Sequence, residues 1–432
     1  FKKVSVRIMI MKDHYSICCV SQSFLPYIGG LARYVESLGK QFLKHGHEFK
    51  VMHFKTVNVD PIEFSDGIEI IRINVTNLGE ETILKYMQFK EAILNITHNE
   101  AVGEIQGYNE YLEVNEKLAE DIMDSYNYKP FDILHVHDFQ TLPLAEILKN
   151  KFGLKIPMIF TWHIPFVNQL PEFWRHFFIE NMGNYDKVIF SIEEYTNAAI
   201  SCGLTPGLVE TVHPTIDLAK YTPKETYDAR EKYNISKDDF LVACVSRIDP
   251  RKGQEILIAA MDKIVNSHKR KNIKCIFVGN GSFSRELLGK ERSGRAQKLL
   301  NLVEEKKLQN NVFFTGKVDD ELLYHIYGAS DVVVQPSLHE GFGLTVCEAM
   351  VFGKPIIGSN VGGIPLQLKD GVNGYLFEKA DYNQLAEKIL LLAQNSELRK
   401  RMGKKGADIV REKFNSGIGY REYLRIYKEI MR

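Results

Sequence analysis

The sequence lacks an excess of charge of either sign. It has 55 Lys and Arg residues against 55 Asp and Glu residues, so its formal net charge at neutral pH is zero. A nucleic-acid-binding surface needs a surplus of Lys and Arg on one face of the protein. The balance of charge therefore argues against nucleic acid as a partner.

Cysteine is scarce, and no two cysteines are spaced as C-x-x-C. The cysteines fall mostly within apolar stretches, where a thiol behaves as a small buried hydrophobic group. This usage predicts free thiols in a reducing compartment, and we expect a cytoplasmic protein. The six residues are Cys18, Cys19, Cys202, Cys244, Cys275 and Cys347.

Long apolar runs are also missing, because no stretch reaches the roughly 20 apolar residues that a membrane-spanning helix needs. Residues 1–14 start with basic residues but have neither a long apolar core nor a small-residue cleavage site, so no secretory signal is expected. Internal repeats and low-complexity segments are not evident. We therefore expect no integral membrane segment.

What the sequence does contain is an alternation of β-branched apolar stretches with helical patterns along nearly all of its length. That alternation is typical of parallel sheets covered on both faces by helices. A chain of 432 residues exceeds what one hydrophobic core usually organises. The predicted fold class is α/β, with two doubly wound Rossmann-like domains and a ligand cleft at the C-terminal ends of both sets of strands.

Residues 215–239 are polar and rich in turn formers, so they form the natural linker. We predict a first domain over residues 1–218, a second over 219–410, and a final helix within 411–432 that crosses back to the first domain. The predicted strands are 16–22, 49–55, 68–74, 132–138, 157–163 and 187–192 in the first half, and 241–247, 274–280, 311–316, 331–337 and 354–359 in the second.

The stretch 337–363 is the most informative one. It places Glu340 before a loop with Gly341 and Gly343, and Glu348 about one turn into the helix that follows. Glycines let the backbone approach a ligand, and the free N–H groups of a first helical turn favour an anion such as a diphosphate. An ordinary strand-loop-helix unit with two solvated acids is the alternative interpretation.

This stretch, SLHEGFGLTVCEAMVFGKPIIGSNVGG, resembles the donor-site signature of the retaining glycosyltransferases of family four, the glycosyl transferases of group 1. That signature has the form E-G-F-G-x-x-x-x-E, followed by E-A-M-x-x-G-x-P-I-I and G-G. The resemblance implies the GT-B fold and a nucleoside diphosphate sugar as donor, with a UDP-, ADP- or GDP-hexose expected and no other cofactor. Two departures stand out, because Leu366 and Asn280 occupy positions where most members carry an acid.

Other elements carry the same resemblance. S-R-x-x-x-x-K-G, at residues 246–253, implies that Arg247 and Lys252 hold the donor diphosphate, where two cations would stabilise its growing charge. Glu340 is expected to bind the donor sugar and Glu348 the ribose. The remaining residues expected to line the donor site are Gly29 and Gly30 of a P-x-x-G-G loop, Gly279, Val318 at the nucleotide base, Gly341, Phe342, Gly343, Leu344 and Thr345.

Two strand ends in the first half mark the acceptor side. Asp138 ends the predicted strand 132–138 and His163 ends the strand 157–163, so both side chains point toward the cleft. By resemblance to H-D-W-Q and T-x-H-N elements of glycogen and starch synthases, Asp138 orients the acceptor hydroxyl and His163 contacts the donor sugar. His135 and His137 are expected to alternate, so that at most one faces the cleft, and both are expected to be structural. Arg33 is expected to contact phosphate, acceptor or solvent.

The reaction implied is transfer of a hexosyl group with its anomeric configuration kept. Retention follows either from double displacement through a carboxylate nucleophile, or from front-face substitution in which the departing phosphate takes the acceptor proton. The resemblance favours the second route. No metal is expected, because the acid pairs at 238–239 and 319–320 are predicted to cap helices.

The acceptor is expected to be a soluble sugar or glucan. A lipid or cell-envelope glycan is the alternative, although residues 81–126 are acidic rather than basic and amphipathic. A nucleotide-sugar epimerase is the alternative from another class, whereas a dehydrogenase is disfavoured because LPYIGGLA lacks the G-x-G-x-x-G spacing. Assembly into a homo-oligomer is left open by the sequence.

Overall fold

The computed structural model describes residues 14–26, 29–55, 59–222, 228–280 and 293–432. Its first half contains an eight-stranded sheet in the order β3-β4-β2-β1-β5-β6-β7-β8. All pairings are parallel except that of the edge strand β3 with β4. The strands are β1 (Ser16–Ser21), β2 (Glu48–Phe54), β3 (Ile62–Ser65), β4 (Ile68–Ile73), β5 (Ile133–His137), β6 (Met158–Trp162), β7 (Lys187–Phe190) and β8 (Val209–Thr211).

The second half contains a six-stranded, fully parallel sheet in the order β11-β10-β9-β12-β13-β14. Its central strands are buried along their whole length, as expected for a sheet covered on both faces. The strands are β9 (Phe240–Val245), β10 (Ile273–Val278), β11 (Val312–Phe314), β12 (Val332–Gln335), β13 (Ile356–Ser359) and β14 (Gly374–Phe377).

Helices cover both sheets. Those of the first half are α1 (Gly30–Lys44), α2 (Glu80–Thr97), α3 (Tyr108–Tyr128), α4 (Leu144–Asn150), α5 (Glu172–Gly183) and α6 (Glu193–Cys202). Those that follow are α7 (Ala229–Lys232), α8 (Gln254–Asp262), α9 (Ser293–Glu305), α10 (Asp320–Ala329), α11 (Leu344–Val351), α12 (Ile364–Gln367), α13 (Tyr382–Gln394), α14 (Ser396–Lys413) and α15 (Ser416–Ile430).

The eleven predicted strands are all present, and the α/β fold class with two parallel sheets is confirmed. Three short strands were not predicted, namely β3, β8 and β14. β3 is an exposed edge strand whose residues are not buried, so it has no apolar pattern to detect. The expectation for residues 1–13 lies outside the described residues.

The last helix, α15, packs against α1 of the first half. Tyr423 Oη lies 2.7 Å from Tyr34 Oη, and Tyr427 Oη lies 2.7 Å from His135 Nδ1, all in a buried cluster with β1, β2 and β5. The end of the chain is therefore anchored in the first half. The predicted domain limits at residues 218 and 410 stay predictions.

The six cysteines are buried and free. Within the described ranges, no helix is both long enough and apolar enough to cross a membrane. The two halves meet at the C-terminal ends of their strands. Gly341, after β12, approaches His163, after β6, so closely that a Cβ built on Gly341 would lie 2.2 Å from the carbonyl oxygen of His163. A ligand site is therefore expected at these strand ends.

Candidate active site

Glu340 lies in the loop between β12 and α11 and is buried. Lys252 Nζ donates to both of its carboxylate oxygens, at 2.7 and 2.8 Å. Ser337 Oγ and Gln335 Nε2 donate to the same carboxylate at 2.8 and 3.1 Å. Burial alone would raise the pKa of Glu340, but the charge of Lys252 and these hydrogen bonds outweigh it and lower the pKa.

Lys252 owes its position to the turn Pro250–Lys252, which follows β9. The carboxylate of Asp249 accepts from the backbone N–H of Arg251 and so caps this turn. Gly253 ends it at φ +66, where a Cβ would lie 2.0 Å from the carbonyl oxygen of Pro336. This turn thus places the ammonium of Lys252 against the carboxylate of Glu340 in the neighbouring loop.

Arg247 follows the same strand and is exposed. Burial raises the pKa of Asp138, which lies in the first half of the chain, and the charge of Arg247 partly opposes this rise. Arg247 and Lys252 therefore both belong to the region where the two halves face each other. The cation pair expected from the sequence is brought to one edge of the second sheet.

The glycine loop touches the first half through its backbone. A Cβ on Gly341 would lie 2.2 Å from the carbonyl oxygen of His163, so only glycine allows this close approach. The backbone carbonyl oxygen of Glu340 accepts from Tyr195 Oη at 2.7 Å. Gly362, at φ +51, passes so close to that loop that a Cβ on it would lie 1.9 Å from the backbone carbonyl oxygen of Glu340. The G-G element at 362–363 is therefore needed for close approach to the Glu340 loop.

Phe342 differs from its neighbours in the loop. Its side chain is buried and packs on the rings of His213 and Phe414, at centroid distances of 6.1 and 5.5 Å. Because the ring is used in packing, only the Phe342 backbone is left for a donor. Gly343 precedes α11, Leu344 begins it, and Thr345 Oγ1 donates to Gln335 Oε1 at 3.0 Å.

The first turn of α11 faces the first turn of α1. Gly29 precedes α1 and is exposed, and a Cβ on Gly30 would lie 3.9 Å from Leu344 Cδ1. Two helix N-termini thus meet across the cleft, each with free N–H groups that favour an anion. Residues 27 and 28 of the predicted P-x-x-G-G loop lie outside the described residues.

Glu348 has partners that the sequence did not indicate. Its carboxylate accepts from Tyr221 Oη at 3.1 Å and from Tyr327 Oη at 3.0 Å. Arg33 Nη1 lies 3.8 Å from it, and Arg33 also pairs with Asp320. The side chain of Arg33 is only 10% exposed, so the solvent-facing alternative for this residue is wrong.

Asp138 and His163 lie at the ends of β5 and β6, as predicted. The carboxylate of Asp138 accepts from the backbone N–H of His163 at 3.4 Å. Burial raises the pKa of Asp138 to about 7, although the backbone N–H groups of His163 and Phe139 and the charges of Arg247 and Lys90 oppose the rise. A carboxyl group in this setting exchanges its proton near neutral pH.

The expectation that the side chains of His135 and His137 alternate between the two faces of the strand is wrong. Side chains two residues apart on a strand lie on the same face. The two rings are 4.1 Å apart, and His137 Nδ1 lies 3.0 Å from His163 Nε2. Burial lowers the pKa of His135 and of His163 to about 3, and lowers that of His137 well below its usual value, so this chain of rings is neutral at physiological pH.

The other predicted donor residues lie around the edge of the second sheet. Gly279 follows β10 at φ +133, where a Cβ would lie 2.1 Å from the Ser246 carbonyl oxygen. Val318 is half-buried between β11 and α10. The backbone carbonyl oxygen of Asn280 accepts from the N–H of Ile248 at 2.8 Å. Gly281 and Ser282 of the predicted turn lie outside the described residues.

The acid pairs are used within the fold. Asp319 caps α10 by accepting from Leu322 N–H at 2.8 Å, as predicted. Asp238 and Asp239 do not begin a helix but lie in the turn before β9, where Asp239 accepts from Ser236 N–H. Among the described residues, no group of three or more His, Cys, Asp or Glu is arranged to hold a metal ion.

Comparison with known proteins assigns both halves. Residues 226–408 match the family model of the glycosyl transferases of group 1, and residues 77–197 match the N-terminal domain of trehalose synthase. Trehalose synthase of Thermococcus litoralis is 29% identical over 385 residues, covering 83% of this chain and 86% of that protein. The N-acetyl-alpha-D-glucosaminyl L-malate synthase of Bacillus anthracis is 25% identical, covering 94% of this chain and 96% of its own length.

Solved structures share the fold. A sucrose-phosphate synthase from Thermosynechococcus elongatus aligns with a TM-score of 0.77 at 22% identity, over 96% of this chain and 99% of the other. An Anabaena protein in complex with UDP-glucose aligns with a TM-score of 0.71 at 18% identity, over 96% of this chain and 100% of the other. These likenesses establish two Rossmann-like domains in the GT-B arrangement.

Proposed function

We propose that this chain, whose residues 226–408 match the glycosyl transferases of group 1 and whose fold is GT-B, moves a hexosyl group from a nucleoside diphosphate sugar to a hydroxyl of a soluble sugar or glucan. The observation that carries the proposal is the Lys252–Glu340 contact at the end of the second sheet, beside the chain of His163 and Asp138. Donor-type and acceptor-type residues are thus brought to a single cleft.

The acceptor class is supported by the relatives. Trehalose synthase, sucrose-phosphate synthase and trehalose-6-phosphate synthase all form disaccharides or their phosphates by name. The model for the trehalose synthase N-terminal domain matches residues 77–197, which include Asp138 and His163. A sugar acceptor held by the first half is the simplest function that fits these matches.

Each cleft residue is given a role in this proposal. Arg247 and Lys252 hold the diphosphate together with the N-termini of α1 and α11, and Glu340 binds sugar hydroxyls once Lys252 turns to the phosphate. Glu348 uses its remaining lone pairs for the ribose. Because Tyr221 and Tyr327 already donate to it, its carboxylate is oriented before the ribose arrives.

The proposed reaction breaks the bond between the anomeric carbon and the phosphate oxygen. The acceptor oxygen forms its new bond on the same face, and the acceptor proton passes to the departing phosphate, so the anomeric configuration is retained. Asp138 orients the acceptor hydroxyl and His163, which is neutral, contacts the donor sugar. The proposed route uses no metal ion, since the cations and helix N-termini supply the positive charge.

A two-stage experiment tests the function. UDP-, ADP- and GDP-glucose are each added during thermal unfolding, since a ligand at 100 times its dissociation constant adds about 2.7 kcal/mol to the free energy of unfolding. The best donor is then incubated with glucose, a glucan or lipid vesicles, with and without excess chelator, and the product's anomeric configuration is read by proton NMR. Absence of stabilisation by every donor, or an inverted product, contradicts the proposal.

A further inference from the structure

Lys90 is a cation that the site described above does not use. It lies on α2, is 4% exposed, and its ammonium has no hydrogen-bond partner. The ammonium lies over the ring of Tyr86, 4.8 Å from the ring centre. A buried ammonium without hydrogen bonds costs free energy, so its presence needs an explanation beyond packing.

The position of Lys90 places it beside the acceptor side of the cleft. Tyr86 Oη donates to the carbonyl oxygen of Gln140 at 3.5 Å, and Gln140 belongs to the turn Phe139–Thr141 that directly follows Asp138. α2 contacts this turn. The charge of Lys90 acts on Asp138, although no hydrogen bond joins the two.

Further buried polar atoms near the C-terminal ends of β1 and β5 have no hydrogen-bond partner in the part of the chain that the structure describes. Gln22 follows β1, the neighbour of β5, and its Nε2 is buried and unpaired, as is Oε1 of Gln140. Together with Lys90 and Asp138 they present both donors and acceptors of hydrogen bonds. A hydroxyl group donates and accepts, whereas a phosphate or carboxylate only accepts. The mixture therefore fits a polyhydroxylated, uncharged ligand.

We propose that Lys90 is an acceptor-binding and specificity-determining residue, which donates to one hydroxyl of an uncharged sugar while Asp138 accepts from a neighbouring one. This inference rests on the proposed function and narrows its acceptor class. An acceptor phosphate at the same place would bring a second anionic group against the carboxyl of Asp138, which disfavours it. Both the ammonium and the neutral amine of Lys90 carry donors for a hydroxyl.

The test compares Lys90→Met with Lys85→Met. Met keeps the length and apolar stem of Lys90 but removes the donor. Lys85 is on the same helix, and its ammonium pairs with Glu81 and Glu110 at the surface, so Lys85→Met should leave kinetics unchanged. Glucose and glucose 6-phosphate serve as acceptors with saturating donor, and hydrolysis of the donor without acceptor is followed separately.

Lys90→Met is expected to raise the KM for glucose about 10-fold or more, as for loss of a hydrogen bond from a charged donor, with the donor KM within about twofold. Its melting temperature should rise, because the substitution removes a buried basic group that has no hydrogen-bond partner and whose pKa burial lowers to about 7. A structural role for Lys90 would instead lower the melting temperature. The inference is overturned if Lys90→Met leaves the KM for glucose unchanged or lowers the melting temperature. It is also overturned if the native enzyme transfers only to glucose 6-phosphate.

The outcomes separate the two proposals. Native protein that neither binds nor hydrolyses any nucleoside diphosphate sugar contradicts the proposed function itself. Native protein that hydrolyses the donor and prefers the phosphorylated hexose keeps the proposed function and contradicts only the role of Lys90. The acceptor-free hydrolysis rate distinguishes these results in a single assay.

Discussion

At the scale of single residues, Lys252 has two roles that follow from one contact. Its ammonium neutralises the buried carboxylate of Glu340, and in the proposed reaction it turns to the diphosphate. A charge already placed in a protected cleft stabilises a developing charge without the reorganisation that water needs. Glu340 holds the cation near its place of action until the donor arrives.

Replacing Lys252 by Met should therefore lower turnover and stability together. We expect kcat to fall at least about 100-fold, as for removal of a preorganised charge partner. The melting temperature should also fall, because Glu340 is left as an unpaired buried acid whose pKa rises. Steady-state kinetics and thermal unfolding measure both effects.

Lys263→Met is the matched control, since Lys263 donates to Asn383 at the exposed surface, away from Glu340. Near-normal turnover in Lys252→Met would remove the basis for placing the diphosphate beside this residue. Arg247→Ala should show the same loss of turnover, because Arg247 is the second cation proposed to hold the diphosphate.

At the scale of secondary-structure elements, the end of α2 supports the loops that carry Lys252 and Glu340. Arg251 donates to both carboxylate oxygens of Glu100, at 2.9 and 2.6 Å, and to Asn95 Oδ1 at 2.7 Å. The carbonyl oxygen of Arg251 accepts from the N–H groups of Leu338 and His339. One helix of the first half thereby holds two loops of the second.

Glu100→Gln is expected to raise the donor KM several-fold while leaving both domains folded. The bidentate charge pair is lost, but its solvent exposure limits its value to about 1 kcal/mol, which is less than tenfold. Raising the salt concentration should shrink the difference from the native enzyme, because exposed charges are screened. Donor titrations at low and high salt provide the measurement.

The control for this helix end is Glu104→Gln. Glu104 lies a few residues further along, is exposed, and accepts a hydrogen bond from Gln106. An equal effect of both substitutions would show that the Arg251 pair contributes nothing specific. A donor KM that does not move in Glu100→Gln would count against the supporting role of α2.

At the scale of the whole molecule, burial of titratable groups couples stability to pH. Buried histidines with lowered pKa values bind protons near pH 6.5 only after unfolding, so the stability they contribute above pH 6.5 is lost as pH falls toward their folded values. Burial lowers the pKa of these groups, to about 4 for His53, about 3 for His98, His135 and His163, and well below the usual value for His137.

Asp138 acts in the opposite direction. Its folded pKa of about 7 lies above its ordinary value of 3.8, so the stability it contributes is fully present below pH 3.8 and is lost as pH rises through 7. These five histidines together with His47 and His339, whose pKa values burial also lowers, oppose one carboxyl, and Lys90, whose pKa burial lowers to about 7, acts in the same direction as the histidines. The melting temperature should therefore fall when the pH is lowered from about 7.5 to about 5.5.

The variant Asp138→Asn separates the two contributions. It removes the group that gains stability on acidification, so its melting temperature should fall more steeply than that of the native protein over the same pH range. Thermal unfolding at several pH values in constant ionic strength provides the comparison. Parallel curves for the two proteins would contradict the burial-raised pKa of Asp138.

The sequence by itself determined the elements and the parallel sheets, and its motifs carry the resemblance to the glycosyl transferases of group 1. Strand and helix patterns depend on local apolar periodicity, and the motifs around Glu340 and Lys252 are contiguous, so both can be detected without knowing what touches what. The same locality placed Asp138 and His163 at strand ends. Local patterns did not predict β3, because its exposed residues have no apolar alternation. The predicted alternation of His135 and His137 is also wrong, because residues two apart on a strand share a face.

Only the tertiary structure decided which groups meet across long stretches of chain. The contacts of Glu348 with Tyr221 and Arg33, of Arg251 with Glu100, and of Lys90 with the surroundings of Asp138 join residues far apart in sequence. Their partners are chosen by how the two sheets and the returning α15 pack. The burial that leaves Lys90 without a partner comes from the same packing, so no local pattern could have indicated it.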